Sequence, residues 1–436
     1  MGEVLCATKG EEKKLTEWVD EKPDRYLVWM GEKALKAHAR IFTPQDHELS
    51  YQQIAAQLIY LPFVYDDPSH PALQRLAKVQ MEVHYRASDY ADQGAQILTN
   101  FRSNLQQPTF LAASCFGKFA HCPAIVCGAG PSLKEIIPFL KQHRDKFLIL
   151  GCGAGMQALL SARIEPHLVV HVDADPYHKF SKNSIPLFYQ LRTSHEVVSQ
   201  MKGPRFLMAG SGEFALERYI EEKLGLEPST DGGWTAVTRG AALAVELGCK
   251  NIYFAGVDFS ASSGAMYAEG VAPPKDTSGT RPDWALAAEW LSRFTAEHPE
   301  QTWGLFSKPN PLMPSIPAAK IEECIGHEAV SFSITGSPVC GKEIWNEIGA
   351  SFAKCRTLID QFMARFQTVF PNPPLGDEAC VKILNEIDQE LAVQKVLDPI
   401  WSYWEVVLKR QPQNDSNSLA IHRTLFLKTL ADRFYA

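Results

Sequence analysis

Residues 123–133, which read Pro-Ala-Ile-Val-Cys-Gly-Ala-Gly-Pro-Ser-Leu, strongly constrain how the surrounding chain can fold. The apolar residues before Gly128 predict a short buried strand, and Gly128 with Gly130 predicts a sharp turn directly after it. Glycine lets the backbone turn and lets a ligand approach without a Cβ in the way. A helix is predicted to begin at Pro131 or Ser132, since proline favours the first helical position.

The start of this predicted helix is a candidate anion site. Ser132 and Glu135 have the spacing of a capping box, in which side chains bind the backbone N–H groups of the helix start. A helix that begins where a strand ends also presents free N–H groups and a positive dipole end, which favour phosphate. An ordinary strand-to-helix turn without a ligand explains the pattern equally well, because such glycine turns are common in α/β proteins.

Beyond residue 123, short apolar runs alternate with helix-sized segments. Runs that are apolar throughout are typical of strands buried on both faces, and the helices between them indicate a parallel sheet. The pattern predicts a doubly wound, Rossmann-like α/β fold, in which ligands bind beyond the carboxyl ends of the strands. The predicted strands are residues 124–127, 147–150, 168–172, 187–189, 206–209 and 252–255, with a last candidate at 302–306.

Glycine or aspartate follows five of these predicted strands. The carboxyl ends of parallel strands lie along one edge of a sheet, so these residues are expected to form a rim of backbone donors and carboxylates. A further glycine pair leads into a predicted helix at residues 236–247. The candidate nucleotide-binding residues are Gly128, Gly130, Ser132, Gly151, Gly153, Gly210, Gly232, Gly233 and Thr235.

Three aspartates on this rim are the candidate catalytic residues. Asp173 and Asp175 have the D-x-D spacing with which many nucleotide-sugar transferases hold a divalent metal, and carboxylate oxygens suit Mg²⁺ or Mn²⁺. Alternation along an extended chain would send both side chains to one side. Asp175 also fits a simple turn before Pro176. Asp258 fits a ligand contact or a cap of the next loop equally well.

The glycine loop at residues 151–155 resembles that of the S-adenosylmethionine methyltransferases. Those enzymes usually carry an acid two residues before the first glycine, whereas this chain has Ile149 there. A glycine loop alone is weak evidence for a ligand. A methyltransferase is therefore the least favoured of the enzyme classes.

Residues 260–282 follow the last of these aspartates and predict a mobile loop beside the rim. Much of the segment consists of Ser, Gly, Ala, Pro and Asp. Loops of this kind often close over a bound ligand. Tyr267 and Gly270 are the candidate substrate contacts in it.

Charge and cysteine content bear on the partners and the compartment. The formal net charge of −7 weighs against nucleic acid as the main partner. The ten cysteines form no C-x-x-C pair, which indicates reduced thiols in a cytoplasmic protein. No apolar run approaches the roughly 20 residues of a membrane span, and residues 1–25 lack the apolar core of a signal peptide.

The pattern predicts three parts in the 436-residue chain. Residues 1–115 form an N-terminal α/β accessory region with a long helix at 71–105 and no catalytic signature. Residues 116–335 form the nucleotide-binding core. Residues 336–436 form a helical region with helices at 344–370, 377–407 and 418–435, and a contact between copies in a homo-oligomer is left open there.

The central segment resembles the motility accessory factor glycosyltransferases, which modify flagellin with nonulosonic acids in bacteria and archaea. It also resembles their relatives, the archaeal-type 6-hydroxymethyl-7,8-dihydropterin diphosphokinases. The resemblance covers residues 95–310 and implies a sialyltransferase-like α/β core that binds a nucleotide at the glycine turns. It rests on residues 123–133, on His167-Leu-Val-Val-His-Val-Asp173, on Gly232-Gly-Trp-Thr-Ala236, and on Gly256-Val-Asp-Phe259 followed by Tyr267-Ala-Glu-Gly270.

The leading hypothesis is a transferase that uses a CMP-activated nonulosonic acid and a protein or glycan hydroxyl as acceptor. A second hypothesis keeps the fold but binds ATP with Mg²⁺ and moves pyrophosphate to a pterin alcohol. A third is a non-catalytic nucleotide-binding or assembly protein, because fold alone does not fix function. The residue types do not separate the two transferases, since both need glycine turns and carboxylates on one rim.

Overall fold

The computed structural model describes residues 2–45, 48–58, 61–175, 183–210, 215–226, 232–259, 267–271, 282–306, 309–325, 330, 336–409 and 415–435. The chain divides into two compact units, residues 1–94 and 95–436. The pattern of the sequence predicts boundaries after residues 115 and 335, and these stay predictions. The division falls inside one long helix, Pro71–Leu105. Its second half bonds to loops of the second unit through Asn100 and Asn104.

The first unit contains a parallel sheet of four described strands in the order β3-β2-β1-β4. One face packs on α2 and α3 through Val4, Cys6 and Val28, and the other face packs on α1 through Leu27 and Trp29. The strand β1 and the helix α1 were not predicted from the sequence. The elements are β1 (Glu3–Ala7), α1 (Glu12–Asp20), β2 (Arg25–Trp29), β3 (Ile41–Phe42), α2 (Glu48–Gln57), β4 (Phe63–Tyr65) and the start of α3 (Pro71–Leu105).

The second unit is built on a sheet of eight described strands, in which each neighbouring pair is parallel. The strand order is β12-β11-β6-β7-β8-β9-β10-β5. The parallel α/β fold predicted from the apolar runs is confirmed. The strands are β5 (Phe110–Leu111), β6 (Ala124–Cys127), β7 (Leu148–Cys152), β8 (Leu168–His171), β9 (Leu187–Tyr189), β10 (Arg205–Leu207), β11 (Asn251–Ala255) and β12 (Thr302–Leu305).

Helices cover both faces of this sheet. Alternate residues of β6 face opposite ways: Ala124 and Val126 pack under α8 and α9, whereas Ile125 and Cys127 pack under α4 and α5. Burial on both faces is the reason the strands are apolar throughout. The helices are α4 (Leu133–His143), α5 (Gly155–Ser161), α6 (His195–Gln200), α7 (Ala215–Leu224), α8 (Ala236–Glu246) and α9 (Pro282–Glu297).

The strand order reverses between β6 and β11. From β6 the chain steps outward through β7, β8, β9 and β10, and it then returns to place β11 on the other side of β6. In open α/β sheets the ligand crevice lies at such a switch point, outside the carboxyl ends of the strands. The fold therefore directs attention to the loops that follow β6 and β11.

The C-terminal helices include α10 (Lys342–Val369), α11 (Glu378–Asp388), α12 (Asp398–Lys409) and α13 (Ser416–Tyr435). The sequence predicted one helix over 377–407, but the chain breaks between α11 and a π-helical turn, Val393–Leu397. The break is fixed by Ser351, whose Oγ donates to Glu390 Oε2 at 2.9 Å and accepts from the Ala392 N–H at 3.0 Å. Short 3-10 turns occupy Ala112–Cys115, Arg144–Lys146, Ile321–Cys324 and Pro374–Gly376.

No disulfide joins any of the ten cysteines, all of which lie in the described part of the chain. Burial raises the pKa of several of these thiols, among them that of Cys249 to about 12, so they act as small apolar groups in the core. None of the described helices is long and apolar enough to cross a lipid bilayer.

Candidate functional site

The loops after β6 and β11 are bonded to each other at the switch point. The Gly128 N–H donates to the Ala255 carbonyl at 2.9 Å, and the Gly130 N–H donates to the Gly256 carbonyl at 2.8 Å. A Cβ on Gly128 would overlap that Gly256 oxygen, so only glycine permits this approach. The predicted glycine turn is therefore required by the packing of two strand ends.

The side chain of Asp258 forms a hydrogen bond with the residue that precedes α4. Its Oδ2 accepts the Ser132 N–H at 3.0 Å, and its carbonyl accepts from Asn310 Nδ2 at 2.9 Å. Gly256 and Phe259, on either side of Asp258, have positive φ angles of 64° and 48°. Left-handed backbone at a residue such as Phe259 is uncommon and occurs often at functional sites. The sequence offered a ligand contact or a cap of the next loop for Asp258; its carboxylate instead bonds to the start of a helix 126 residues away in sequence, and the ligand contact stays a prediction.

The capping box predicted for Ser132 and Glu135 is wrong. Ser132 has helical backbone angles, φ −65° and ψ −17°, and its side chain caps no N–H. The Asp258 carboxylate takes the Ser132 N–H instead. The Ser132 Oγ is buried and has no hydrogen-bond partner among the described residues. A buried hydroxyl of this kind is unfavourable unless a ligand or water satisfies it.

The segment at residues 267–271 contacts the same glycine loop. The Ala268 N–H donates to the carbonyl of Ala129 at 2.7 Å. Tyr267 packs edge-on against Trp284, with 6.2 Å between the ring centroids, and Gly270 has a φ of 86° and lies close to Ser161. The predicted substrate residues thus lie beside the turn. The rest of the predicted loop, at 260–266 and 272–281, lies outside the described residues.

A second group of predicted site residues lies where β7 and β8 end and α8 begins. Gly153 has a φ of 51°, and a Cβ there would lie 3.3 Å from Ala236 Cβ and 3.8 Å from Asp173 Oδ2. The Asp173 side chain is 50% exposed, and its Oδ2 lies 4.0 Å from the Nε2 of the fully buried His171. Asp173 is therefore the half-exposed carboxylate of the rim, close to a glycine loop and a helix start.

Other predicted residues have local structural roles. The Thr235 Oγ1 caps α8 by accepting the Thr238 N–H at 3.2 Å, in a capping box with Thr238. Gly233 has a φ of 65°. Gly232 leaves room for the aliphatic part of the Arg239 side chain, since a Cβ on Gly232 would lie 2.5 Å from Arg239 Cδ. Gly151 lies inside β7 and faces Met156 rather than the rim.

Gly210 lies apart from the central group, since β10 is four strands from β6, or roughly 19 Å at the usual strand spacing. Its N–H donates to Glu221 Oε1 at 2.6 Å. Glu217 and Glu221 of α7 are 1% and 6% exposed. Burial raises the pKa of Glu221 to about 7, although the Gly210 N–H and the charges of Arg239 and Arg218 oppose the rise.

The raised pKa of Glu221 predicts a loss of stability as pH rises. Between about pH 4.5 and 7 the carboxyl keeps its proton in the folded state but loses it in the unfolded state. The unfolding free energy therefore falls as pH rises through this range. Glu221→Gln keeps the acceptor for Gly210 and removes the titration. At about 1.4 kcal/mol per pKa unit, we expect the loss of unfolding free energy from pH 5 to pH 8 to shrink by on the order of 2 kcal/mol.

Urea unfolding of both proteins at pH 5 and pH 8 measures this difference. Glu222→Gln, at the exposed neighbouring position, is the matched control for the loss of one carboxyl group. Equal pH dependence in wild type and Glu221→Gln would contradict the prediction.

Residues 95–264 match the model of a protein family described as 6-hydroxymethylpterin diphosphokinase MptE-like. The resemblance predicted from the glycine turn and the aspartate motifs is thereby confirmed. The matched segment begins at the division between the two units and contains every rim residue from Gly128 to Asp258, whereas Tyr267 and Gly270 lie just beyond it.

The fold is similar to that in the solved structure of MAf glycosyltransferase from Magnetospirillum magneticum AMB-1. The TM-score is 0.53 and the sequence identity 15%, and the match covers 99% of this chain and 77% of that chain. At this identity the likeness concerns the fold alone. No curated protein matches this chain in sequence.

Sequence reasoning missed several polar residues that support the rim. Asn100 and Asn104 of α3, each 1% exposed, hold the loops after β8 and β9, and Asn310 holds Asp258. The available signal was two asparagines four residues apart on the apolar face that contains Phe101. A buried amide needs hydrogen-bond partners, so such a pair predicts contacts to backbone.

Proposed function

We propose that this chain is a nucleotide-dependent transferase, and that its donor is a CMP-activated nonulosonic acid. The main support is the loop at 128–132, which lies at the switch point, is closed by Asp258, and carries a buried Ser132 hydroxyl without a partner among the described residues. In this proposal the hydroxyl donates to the nucleotide phosphate. The likeness of the fold to a glycosyltransferase is consistent with this chemistry.

The proposed reaction needs a base for the acceptor hydroxyl. The bond from the anomeric carbon to the phosphate oxygen breaks, and its electron pair leaves with CMP. The acceptor oxygen bonds to the anomeric carbon, and a carboxylate takes its proton. Asp173 suits this role better than Asp258, because Asp173 is half-exposed whereas Asp258 is bound to the Ser132 N–H. Asp175 is the neighbouring alternative.

The family description favours a second candidate, pyrophosphoryl transfer from ATP to a pterin alcohol. In the described parts of the chain, no three His, Cys, Asp or Glu side chains group to hold a metal. Mg²⁺ in nucleotide sites is commonly held by one or two carboxylates together with substrate phosphates and waters. Asp173 and Asp175 could provide that number, and the ion would neutralise phosphate charge there.

Thermal shift with CMP, CTP, CDP, ATP, GTP and S-adenosylmethionine, each with and without Mg²⁺, tests these candidates. A ligand at 100 times its dissociation constant stabilises by about 2.7 kcal/mol. A metal-independent response to CMP supports the glycosyltransferase, and a Mg²⁺-dependent response to ATP supports the diphosphokinase. No response across the panel would refute nucleotide binding and favour an assembly protein. Release of CMP from CMP-sugars, or of AMP from ATP with a pterin alcohol, then identifies the reaction.

Ser132→Ala is the direct test of the phosphate contact. Because the Oγ has no partner among the described residues, its removal should change the unfolding free energy by less than about 0.5 kcal/mol. Loss of a hydrogen bond to a charged phosphate costs about 1.5–3 kcal/mol, so nucleotide affinity should fall at least about tenfold. Isothermal titration calorimetry with the responding nucleotide measures the change.

Thr235→Ala is the comparison for Ser132→Ala. It removes a hydroxyl that caps α8, so it should cost about 1 kcal/mol of stability. If Ser132→Ala loses stability in the same way but binds nucleotide as tightly as wild type, then the Ser132 hydroxyl does not contact the phosphate.

A further inference from the structure

Two asparagines on α3 are buried one helical turn apart. Asn100 and Asn104 are each 1% exposed. A buried amide costs free energy unless its donors and acceptor are satisfied. All of the hydrogen bonds given below join residues 95–195, which lie in the second unit.

Asn100 binds two different loops. Its Nδ2 donates to the carbonyls of Ala174 and Arg192, each at 2.9 Å. Its Oδ1 accepts the His195 N–H and Gln96 Nε2, each at 3.1 Å. With two carbonyls on Nδ2 and two donors on Oδ1, the amide has one favourable orientation.

Asn104 binds only the loop after β9. Its Nδ2 donates to the carbonyls of Leu191 at 3.0 Å and Thr193 at 2.7 Å, and its Oδ1 lies 2.9 Å from His195 Nδ1. Burial lowers the pKa of His195, and the nearby Arg205 lowers it further. The imidazole is thus neutral at neutral pH, and its Nδ1 carries the proton that Asn104 Oδ1 accepts.

One of the two loops is the Asp173 turn itself, and the other, after β9, bonds to it. Ala174, whose carbonyl Asn100 holds, lies between Asp173 and Asp175. The Ser194 N–H donates to the Asp173 carbonyl at 2.9 Å, and the Thr193 Oγ1 donates to the His171 carbonyl at 2.9 Å. A fully satisfied network of this kind fixes one backbone conformation.

We propose that Asn100 is a positioning residue, which holds the turn of Asp173 and Asp175 in the conformation that the nucleotide-dependent reaction requires. Asn104 supports the neighbouring loop and, among the described residues, has no hydrogen bond to that turn. This inference rests on the proposed function, in which Asp173 or Asp175 acts on the acceptor or on a nucleotide-bound metal. Replacing residues that orient the ligands of a metal ion typically changes affinity or activity by 10–100-fold, and we expect an effect at the lower end for a residue that holds the backbone beside the carboxylates.

The two asparagines provide their own matched comparison. Asn100→Ala and Asn104→Ala each remove two hydrogen bonds from one helix to backbone carbonyls, so both should lower the melting temperature by similar amounts. Only Asn100→Ala releases Ala174. We expect its affinity for Mg²⁺-ATP or CMP, whichever the wild type binds, to fall on the order of tenfold below that of Asn104→Ala. Hydrogen exchange of the amides at residues 172–175 should also be faster in Asn100→Ala alone.

Equal affinities and equal exchange rates in the two variants would overturn the proposal. If alanine prevents folding, Asn100→Ser and Asn104→Ser replace the pair and retain a small polar group. A wild type that binds none of the nucleotides would refute the proposed function, whereas the exchange rates at residues 172–175 still decide whether Asn100 fixes the turn. The two failures are therefore distinguishable.

Discussion

Gly128→Ala should lower the unfolding free energy by about 3 kcal/mol and abolish nucleotide binding. The new Cβ would overlap the Gly256 carbonyl oxygen and lie 3.2 Å from Val237 Cγ2. The carbonyl cannot withdraw without breaking its 2.8 Å bond from the Gly130 N–H at the switch point between β6 and β11. Overpacking against fixed backbone typically costs 1–3 kcal/mol and occasionally more, so we expect about the upper value.

Urea unfolding measures the stability of this variant, and calorimetry below its melting temperature measures binding. Gly349→Ala is the control, because the same change in α10 meets no atom within 4 Å. It removes a helical glycine and should stabilise the protein by roughly 0.5–1 kcal/mol. A Gly128→Ala variant within 0.5 kcal/mol of wild type would mean that the strand ends separate easily and that the turn is not rigid.

The apolar strands were predictable because burial on both faces leaves a local signature. Ala124–Cys127 and Leu187–Tyr189 have the predicted bounds, and so does the helix Pro71–Leu105. The strand β1 was missed because Glu3–Ala7 lies in a polar sequence and is short. Its burial comes from pairing with β2 and β4, which lie far along the chain. Local composition carries no information about such pairing.

The rim as a set of loops was predictable, but the partners within it were not. Glycine and aspartate after strands indicate where loops meet at one edge of the sheet, as at Gly128 and Asp258. The hydrogen bond of Asp258 to the start of α4 joins residues 126 positions apart in sequence, so the sequence around Asp258 does not reveal it. Asn100 likewise binds carbonyls 74 and 92 residues away. Sequence spacing along one element cannot specify contacts of this range.

Arg239→Met should lower the unfolding free energy by about 3–5 kcal/mol at pH 8. Arg239 is 2% exposed, and its guanidinium binds both carboxylate oxygens of Glu246 across two turns of α8, at 3.2 and 2.7 Å. Removing one partner of a buried pair leaves the other charge buried and uncompensated, which is the costly step. The stem of Arg239 also packs beneath Gly232, so the loop before α8 loses a contact.

The double variant Arg239→Met with Glu246→Met shows how much of the lost stability comes from the unpaired Glu246 charge and how much from lost packing. Replacing both partners by apolar side chains is often neutral, so most of the loss should be recovered, to within about 1 kcal/mol of wild type. Arg365→Met breaks a similar but exposed pair with Asp377 and should cost under about 1 kcal/mol. If Arg239→Met costs no more than Arg365→Met, then water reaches Glu246 and the start of α8 is not held by a buried ion pair.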